Sequence, residues 1–502
     1  MGLIQTLQHF FNRGRYAMTT GTLNTILEHP RISVSQEEYN RILSNLKYFE
    51  GRFSNVEYKN TDGAIRERAF NHLPLARTVS KKLASLVFNE QAEIGVADAS
   101  ADELIKTTFL NDRFNKNFER YLESCLALGG LAMRPYVDGD AIKVAFIQAP
   151  VFFPTQSNTQ DVSSAAIVTK TTKNVGKKEV YYSLIEFHDW DHGTYVITNE
   201  LYQSDRQDVL GNRVALSELY EDLEESVTIQ GLSRPLFTYL KTPGMNNKDI
   251  NSPLGLSVYD NAKTTIDFIN RTFDEFAWEV RMGQRRVAVP EQTTKMTMDK
   301  NGDRMVLKKH FDPDQNVFVQ IGSGDIDKTT GIVDLTTDIR SESYIQAINK
   351  GLSLFEMQVG VAPGMFSFDG KSMKTATEVV SENSDTYQLR NSIVSLVEHS
   401  IKELVVSICE LAKVSGLYTG NIPQLEDVSV NLDDGVFTDR QSELNYWSQM
   451  VASGFVSRKY GLMKLLGITS EEADEILNET TDDMVADSGN NRDEADKDLY
   501  GD

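Results

Sequence analysis

The segment from Lys371 to Ser415 runs for 45 residues without a glycine or a proline, the two residues that most readily end a helix. Thr375 and Glu378 have the spacing of a capping box, so the sequence predicts that a helix begins there. An uninterrupted helix of about 40 residues would be about 60 Å long. Most helices in globular proteins have only ~10–14 residues. Rods of this length are typical of spacers, coiled coils and assemblies, and are rare in compact enzymes.

The two halves of this predicted helix differ in polarity. The first half carries Asn383, Thr386 and Arg390 at positions where the second half is apolar. We therefore expect the second half to pack inside the protein and the first half to be solvent-exposed on most sides. The core-facing stripe of the second half consists of Ile393, Val397, Ile401, Leu404, Ile408 and Leu411.

Composition and charge narrow the class of protein. The chain has 502 residues, 40% hydrophobic and 25% charged, which is ordinary for a globular protein of two to four domains. No stretch approaches 18 apolar residues without a charge, so no membrane span is predicted. The net charge of −22 disfavours tight DNA binding through a basic patch, because such a surface repels phosphate. It does not exclude DNA passing nearby.

Motifs that would indicate an enzyme or a cofactor are incomplete. Gly370-Lys371-Ser372 resembles the end of a phosphate-binding loop, but Met365 stands where that loop needs glycine. Asp299, Asn301 and Asp303 imitate a calcium loop that lacks its glycine and its last glutamate, so a hairpin turn explains them better. We predict no cofactor, no catalytic residue and no enzymatic activity.

Two further groups of residues could hold a metal. Cys125 and Cys409 lie within helical patterns and are predicted to be buried, reduced thiols. The cluster of His188, Asp189, Asp191 and His192 surrounds Trp190 between two predicted strands. Metal binding by this cluster stays open beside the more ordinary interpretation, a polar turn with a tryptophan plug.

The first 250 residues read as an α+β domain. Ser35 can cap a helix from Gln36 to Glu50, and Pro74 suits the first position of a second helix. Further helices are predicted for Asp102–Leu128, ended by Gly129, and for Leu216–Glu225. Strands are predicted for Leu131–Val137 and Ala141–Ile147 around an Asp138-Gly139 turn, and for Ala165–Thr172, Val180–Phe187 and Thr194–Tyr202.

A strict heptad seam follows this domain. Apolar residues spaced 3-4-3-4-3-4 occur at Tyr259, Ala262, Ile266, Ile269, Phe273, Phe276 and Val280. A helix from about Ile339 to Val359 repeats the spacing at Ile345, Ile348, Leu352, Phe355 and Val359. Such narrow seams indicate helices packed side by side, either in an assembly or in a single-chain bundle. Phe268, Trp278 and Met282 lie off the seam and need a second partner.

A β-rich insert separates the two heptad helices. Strands are predicted for Arg286–Val289 and Val317–Ile321, with a hairpin between Lys295–Met298 and Arg304–Leu307 that turns at Asn301-Gly302. The insert from Gln284 to Asp338 has eight basic and nine acidic residues, so it is nearly neutral in an acidic chain. We therefore expect it to contact protein partners, with Lys308 and Lys309 as the candidate contact residues.

The order of these elements resembles the portal proteins of tailed bacteriophages. Several short sequence stretches are similar to those in portals of phages that infect Gram-positive bacteria. The similar stretches are Leu73-Pro74-Leu75-Ala76 with Leu83 to Glu90, Arg234-Pro235-Leu236-Phe237, Ser252-Pro253-Leu254-Gly255, and Thr375-Ala376-Thr377-Glu378. The resemblance implies an α+β portal fold that assembles as a ring. Its first parts would be a wing at 1–252, stem helices at 253–283 and 339–359, and a β-rich clip at 284–338 between them. A tunnel loop at 360–374 and a long tunnel helix that returns to the wing at 375–436 would follow. The last parts would be a helical crown at 437–480, with capped helices near Thr438, Ser457 and Thr469, and an acidic tail at 481–502 that is expected to be disordered.

The resemblance also implies a function and partners. Portals form a ring, usually of twelve subunits, at one capsid vertex of the virion, and they assemble in the host cytoplasm. Double-stranded DNA enters and leaves through the axis of the ring. The terminase large subunit docks on the ring first, and head-to-tail adaptors later replace it. The major capsid and scaffolding proteins are further partners. On this chain the stem packing would use Ile266, Ile269, Phe273, Ile348 and Leu352, and the loop facing DNA would use Met365, Phe366, Phe368, Lys371 and Lys374. The alternative is a monomeric or dimeric scaffold or adaptor with a self-contained helical bundle.

Overall fold

The computed structural model describes residues 23–59, 63–88, 92–158, 161–176, 178–283, 287–288, 295–301, 304–310, 333–334, 338–367, 384–432, 440–466, 473–474 and 476–478. The chain divides into two units, Met1–Leu432 and Asp433–Asp502, and each is described by itself.

The first unit mixes helices and open sheets. Its described helices are α1 (Gln36–Glu50), α2 (Leu75–Val87), α3 (Ala99–Asn111), α4 (Phe114–Leu128), α5 (Lys263–Met282), α6 (Ser341–Val359) and α7 (Ser384–Val414). Its strands are β1 (Val56–Lys59), β2 (Ile65–Arg68), β3 (Glu93–Val96), β4 (Gly130–Asp138), β5 (Ala141–Gln148), β6 (Phe152–Ser157), β7 (Val162–Val175), β8 (Lys178–Asp191), β9 (Thr194–Ser204), β10 (Asn212–Val214), β11 (Ser226–Ile229), β12 (Thr238–Lys241), β13 (Val287–Ala288), β14 (Lys295–Asn301), β15 (Arg304–His310), β16 (Val333–Asp334) and β17 (Val428–Asn431).

Three antiparallel sheets build most of the N-terminal domain. The largest has the order β10-β9-β8-β7-β6, with β11 on the same edge of β9 as β10, and its neighbour has the order β12-β4-β5. Strand β17, at the end of the first unit, pairs with β3, so this small sheet joins segments more than 300 residues apart in the sequence. The core of the large sheet includes Phe187 and Tyr202, both fully buried.

Several predicted elements are confirmed. The Ser35 side chain caps α1 by accepting a hydrogen bond from the Glu38 N–H at 3.2 Å. Helix α2 begins at Leu75, one residue after Pro74, and α4 ends at Gly129, whose φ of +97° is open to glycine. The hairpin β4–β5 turns as expected, although Asp138 pairs with Ala141 and the loop is therefore Gly139-Asp140.

The predicted helix Asp102–Leu128 is wrong, because it is two helices. Helix α3 already begins at Ala99, where the Asp98 carboxylate accepts from the N–H groups of the first turn. The break lies at Asp112-Arg113, where Arg113 has a left-handed φ of +50°. The Asp112 carboxylate accepts a hydrogen bond from Val144 N–H of β5 at 3.0 Å, so pairing with the sheet stabilises the break.

The predicted helix Leu216–Glu225 is also wrong. Only Leu216–Glu218 makes a short 3₁₀ turn, although the apolar residues with helical spacing do pack on the sheet. The carbonyl groups of Glu224 and Glu225 accept hydrogen bonds from the side chain and N–H of Asn199, and the chain then enters β11. The four acids among residues 221–225 would also repel one another within one helical turn.

The two heptad helices pack against each other as α5 and α6. Between them, β13 pairs with β16, and β14 pairs with β15 in the predicted hairpin, in which Asn301 lies opposite Arg304. The predicted strand Val317–Ile321 lies outside the described residues.

The long helix is described from Ser384 to Val414, which is 31 residues. All six residues of its predicted core stripe, from Ile393 to Leu411, are buried. The predicted capping box at Thr375 lies outside the described residues. The prediction that the first half is wetted needs a correction, because Arg390 is half-buried and donates to the carbonyl oxygens of Leu86 and Leu432 at 2.7 and 3.0 Å.

The described part of the second unit is helical. Helix α8 (Arg440–Ala452) and helix α9 (Arg458–Leu466) pack together, and 473–474 and 476–478 are also helical. The Ser457 hydroxyl accepts from Tyr460 N–H at 3.2 Å, as the predicted cap requires. The predicted caps at Thr438 and Thr469 lie outside the described residues.

Candidate functional site

The seam between α5 and α6 is closed within the chain over part of its length. Ile266, Ile269, Ile348 and Leu352 are each 9% exposed or less. The helices approach closely at Gly351, where a Cβ would lie 2.7 Å from Cγ1 of Ile269. These four predicted stem residues therefore pack against helices of their own chain.

Burial falls along the seam towards the insert. Phe273 and Phe276 are half-buried, and Val280 is 46% exposed. The Phe276 ring stacks on Tyr344 with centroids 5.4 Å apart. Two further seam-side groups form an ion pair, Arg340 with Glu279, and hydrogen bonds from the side chain and N–H of Arg340 lower the pKa of Glu279 to about 2.

Other apolar side chains on the two stem helices are left open in the single chain. They are Phe268, Leu354 and Met357, with exposures of 48%, 39% and 69%, and the predicted seam residue Ile345, which is 49% exposed and so is not buried as its spacing predicted. With Val280, five apolar side chains of this helix pair are more than a third exposed to solvent.

The off-seam residue Trp278 has its second partner in the N-terminal domain. Its ring lies 5.5 Å from that of Tyr58 in β1, and the Arg68 guanidinium lies 4.9 Å from its centroid. Arg68 also makes a two-pronged ion pair with Asp274, at 2.6 Å for each bond. The hairpin β1–β2 is therefore tied to α5 by a ring contact and an ion pair.

The same carboxylate receives two more hydrogen bonds. Asn71 donates its N–H at 3.0 Å and its side-chain amide at 3.1 Å to Oδ1 of Asp274. One turn earlier, Leu73 N–H donates to Asn270 Oδ1 at 2.9 Å. Arg68 lowers the pKa of Asp274, because its guanidinium donates to the charged carboxylate.

A buried polar network fixes the start of the stem. Arg41 is 8% exposed and donates to Glu38 at 2.9 Å and to Asp260 at 2.8 Å. Asp260 precedes α5 and also pairs with Lys263 at 2.8 Å. Although burial raises the pKa of Asp260, hydrogen bonds from Lys263 and Asn45 hold it below its ordinary value.

The segment after α6 is held by a glutamate in the last turn of that helix. The Glu356 side chain is fully buried, and its carboxylate accepts from the N–H groups of Gly364 at 3.0 Å, Phe366, and Ser367 at 2.7 Å. The Ser367 hydroxyl donates to it at 3.1 Å. Gly364 has a φ of +88°, which lets the chain turn around the carboxylate.

The same segment is tied to the helix on its other side. Ala362 is 2% exposed, and its N–H donates to the Thr386 hydroxyl of α7 at 2.8 Å. The Phe366 ring lies 5.9 Å from that of Phe355, and Met365 is half-buried. Residues 361–367, the described part of the predicted tunnel loop, are therefore anchored to both flanking helices.

The remaining predicted site residues fall on partly described segments. Lys308 and Lys309 are opposite Thr297 and Met296 in the β14–β15 ladder. Phe368, Lys371 and Lys374 lie outside the described residues.

The histidine–aspartate cluster around Trp190 is dispersed. His188 is fully buried in β8, where it hydrogen-bonds the Tyr195 hydroxyl at 2.9 Å, and burial keeps its pKa well below the ordinary value. Asp189 instead pairs with Arg31, and the turn is His192-Gly193. Among the described residues, no group of three histidine, cysteine or acidic side chains is placed to hold a metal ion. Both cysteines are buried and unpaired, as predicted, and burial raises the pKa of each thiol.

The sequence reasoning did not single out Glu356, Arg68 or Asp274, and it interpreted Thr386 only as a solvent-exposed position of the long helix. Each is an ordinary polar residue in a helix or short strand, and only the fold brings its partner close. A partial signal existed at Glu356, because an acid in the last turn of a helix opposes the helix dipole and needs a compensating donor. None of the described helices is long and apolar enough to cross a membrane.

Comparison with known proteins gives a family and a set of structural neighbours. Residues 28–485 match the family described as "Phage portal protein, SPP1 Gp6-like". No curated protein matches the sequence. Among solved structures, a chain in "Virion of native gene transfer agent (GTA) particle" is similar at 13% identity and a TM-score of 0.38, over 85% of this chain and 93% of that one. A chain in "Neck of native GTA particle computed with C12 symmetry" is similar at 13% identity and a TM-score of 0.37, over 77% of this chain and 88% of that one.

Proposed function

This chain belongs to the SPP1 Gp6-like family of phage portal proteins, and from that premise we propose that it forms a ring of twelve subunits at one capsid vertex. In this role it is the conduit for DNA during packaging and ejection, and the platform on which the terminase large subunit and head-to-tail adaptors dock. The family match over residues 28–485 carries the proposal. It also argues against the alternative of a monomeric or dimeric scaffold.

The stem helices support the ring physically. Their seam is closed within the chain at Ile269 and Leu352 but leaves apolar side chains open, among them Phe268 and Met357. A neighbouring subunit would cover these side chains, and each Å² of apolar surface removed from water contributes roughly 25 cal/mol. The stem residue Phe273, half-buried in one chain, would be completed by that neighbour.

Charge supports the passage of DNA. A net charge of −22 per chain gives about −264 for twelve chains, so DNA would slide along such a ring without sticking. Met365, Phe366 and Phe368 would line the channel, and Lys371 and Lys374 would make weak, salt-sensitive contacts with phosphate.

The remaining partners follow from the parts of the portal. The hairpin β14–β15 would present Lys308 and Lys309 to an adaptor or to the motor. The major capsid and scaffolding proteins would contact the ring during assembly in the host cytoplasm. The stretches similar to portals of phages from Gram-positive bacteria favour a host of that kind.

Light scattering on the purified chain tests the ring directly. Twelve chains of 56.5 kDa would give about 678 kDa, and electron microscopy would show rings with a central opening. A mass of one or two chains at micromolar concentration and physiological salt, without rings, would favour the scaffold alternative.

A further inference from the structure

Glu356 occupies an unfavourable place for an acid. It lies in the last turn of α6, which ends at Val359, so its charge adds to the negative end of the helix dipole. Its side chain is also fully buried, and a buried carboxylate costs several kcal/mol unless its charge is compensated. Among the described residues it pairs with no lysine or arginine. Compensation comes from three backbone N–H groups and one hydroxyl of residues 364–367.

The geometry uses both carboxylate oxygens. Oε1 accepts from the N–H groups of Phe366 and Ser367, and Oε2 accepts from Gly364 N–H and the Ser367 hydroxyl. A glutamine of the same shape would keep one oxygen and replace the other with an amide nitrogen, which donates and cannot accept. An aspartate would be one methylene shorter. Only glutamate fits all four donors at this distance from the helix.

A second tie holds the segment on the other side. The Thr386 hydroxyl, on the first described turn of α7, accepts from Ala362 N–H at 2.8 Å. The buried side chains of Val361 and Ala362, each 2% exposed, add packing between the two ties. Residues 361–367 are therefore fixed to the helix before them and the helix after them.

We propose that Glu356 is the positioning residue that sets where the tunnel loop leaves the stem, and so fixes Met365 and Phe366 relative to the DNA channel. This inference rests on the proposed portal function. Residues 361–367 act as a fixed collar in each subunit, and the carboxylate holds the collar in place.

The test compares Glu356→Gln with Glu410→Gln in the full chain. Glu410 is a matched control, because it is 3% exposed and accepts Ser233 N–H at 3.1 Å, but on α7 and away from the loop. We expect amide hydrogen exchange of residues 360–367 to become at least about thirtyfold faster in Glu356→Gln, since hydrogen bonds to a charged acceptor are the strong ones. In Glu410→Gln, exchange should rise near Ser233 instead.

A second readout concerns DNA. Particles assembled with Glu356→Gln should contain rings but retain less DNA than particles with Glu410→Gln. Unchanged exchange at 360–367 would overturn the positioning role. Faster exchange with the same DNA content as the control would overturn its link to the channel.

The outcomes remain separable if a variant or the portal function fails. Should Glu356→Gln lose its fold, exchange would rise in every strand, and Thr386→Val then tests the second tie with an expected increase of about three- to tenfold at Ala362. Equal exchange in wild type and Thr386→Val would in that case overturn the proposal. If the wild-type chain formed no rings, the proposed portal function would be wrong. The exchange measurement would still show whether Glu356 anchors residues 361–367.

Discussion

Replacing Arg68 with methionine tests whether the hairpin β1–β2 is fastened to the stem by its ion pair. The change removes both 2.6 Å bonds to Asp274 and leaves a carboxylate that is only 7% exposed. Breaking a buried pair costs about 3–5 kcal/mol. We expect about 2–3 kcal/mol, because Asn71 still donates twice and hydrogen bonds to charged groups contribute about 1.5–3 kcal/mol.

Hydrogen exchange of the hairpin amides measures this cost as local opening. A loss of about 2–3 kcal/mol corresponds to exchange about 30- to 150-fold faster in residues 56–68, with β7 to β9 unchanged. Arg52→Met is the control, because Arg52 is 73% exposed in its pair with Glu50, and an exposed pair contributes less than about 1 kcal/mol.

A double-mutant cycle with Asp274→Asn isolates the pair itself. The two single changes should be strongly non-additive, with a coupling free energy of about 1–3 kcal/mol. If the double variant opens as the sum of the singles predicts, or if Arg68→Met behaves like Arg52→Met, the fastening role of the pair is refuted.

The pair also sets a pH dependence. Arg68 lowers the pKa of Asp274 in the folded chain, so the stabilisation is fully present above the unfolded pKa of about 3.9 and is lost as the pH falls through the lowered value. The ratio of exchange rates between Arg68→Met and wild type should therefore stay constant from neutral pH to about pH 5. It should approach one only in strong acid.

Three further variants test the proposed portal. Phe273→Asp places a charge at the half-buried part of the seam, so light scattering should detect no rings while circular dichroism still shows a folded wing. The control Thr264→Asp, at an exposed position of the same helix, should assemble normally. Lys308→Glu with Lys309→Glu should weaken adaptor or motor binding in a pull-down at least tenfold and spare the ring, and unchanged binding would move the partner site elsewhere. Lys371→Glu with Lys374→Glu should leave assembly intact and reduce the DNA content of particles; equal DNA content would remove both lysines from the channel.

Sequence periodicity predicted the elements whose packing is local. The stripe of α7 was confirmed, and so was the heptad spacing of α5 and α6 at Ile266, Ile269, Ile348 and Leu352, because a repeated apolar spacing defines the buried face of a helix. The seam residues Val280 and Ile345 are nearly half exposed, so the spacing alone did not predict how far the seam is closed. The same reasoning failed at Leu216–Glu225, where a helical spacing of apolar residues packs on a sheet without a helix. There the carbonyl groups were taken by Asn199, and no local pattern contains that information.

Polar anchors could not be predicted because their partners are remote in sequence or depend on a turn. Arg68 and Asp274 are 206 positions apart, and β2 reads as a short charged strand. Glu356 looks like any surface glutamate of a helix until the chain turns at Gly364 and directs its N–H groups at the carboxylate. A candidate site built of such contacts is therefore visible only in the folded chain.

The burial pattern of the stem separates folding from assembly. Ile269 is fully buried within one chain, whereas Phe268, its neighbour in sequence, is 48% exposed. The core of the stem pair is therefore closed within one chain, and the proposed ring would use the side chains that remain exposed. It follows that Ile269→Asp should unfold the stem of the single chain, because it places an unpaired charge in a closed core. Phe268→Asp, at the exposed neighbour, should leave the chain folded and impair assembly alone. Circular dichroism of the chain should therefore change in Ile269→Asp, whereas in Phe268→Asp only the mass of the assembly should change.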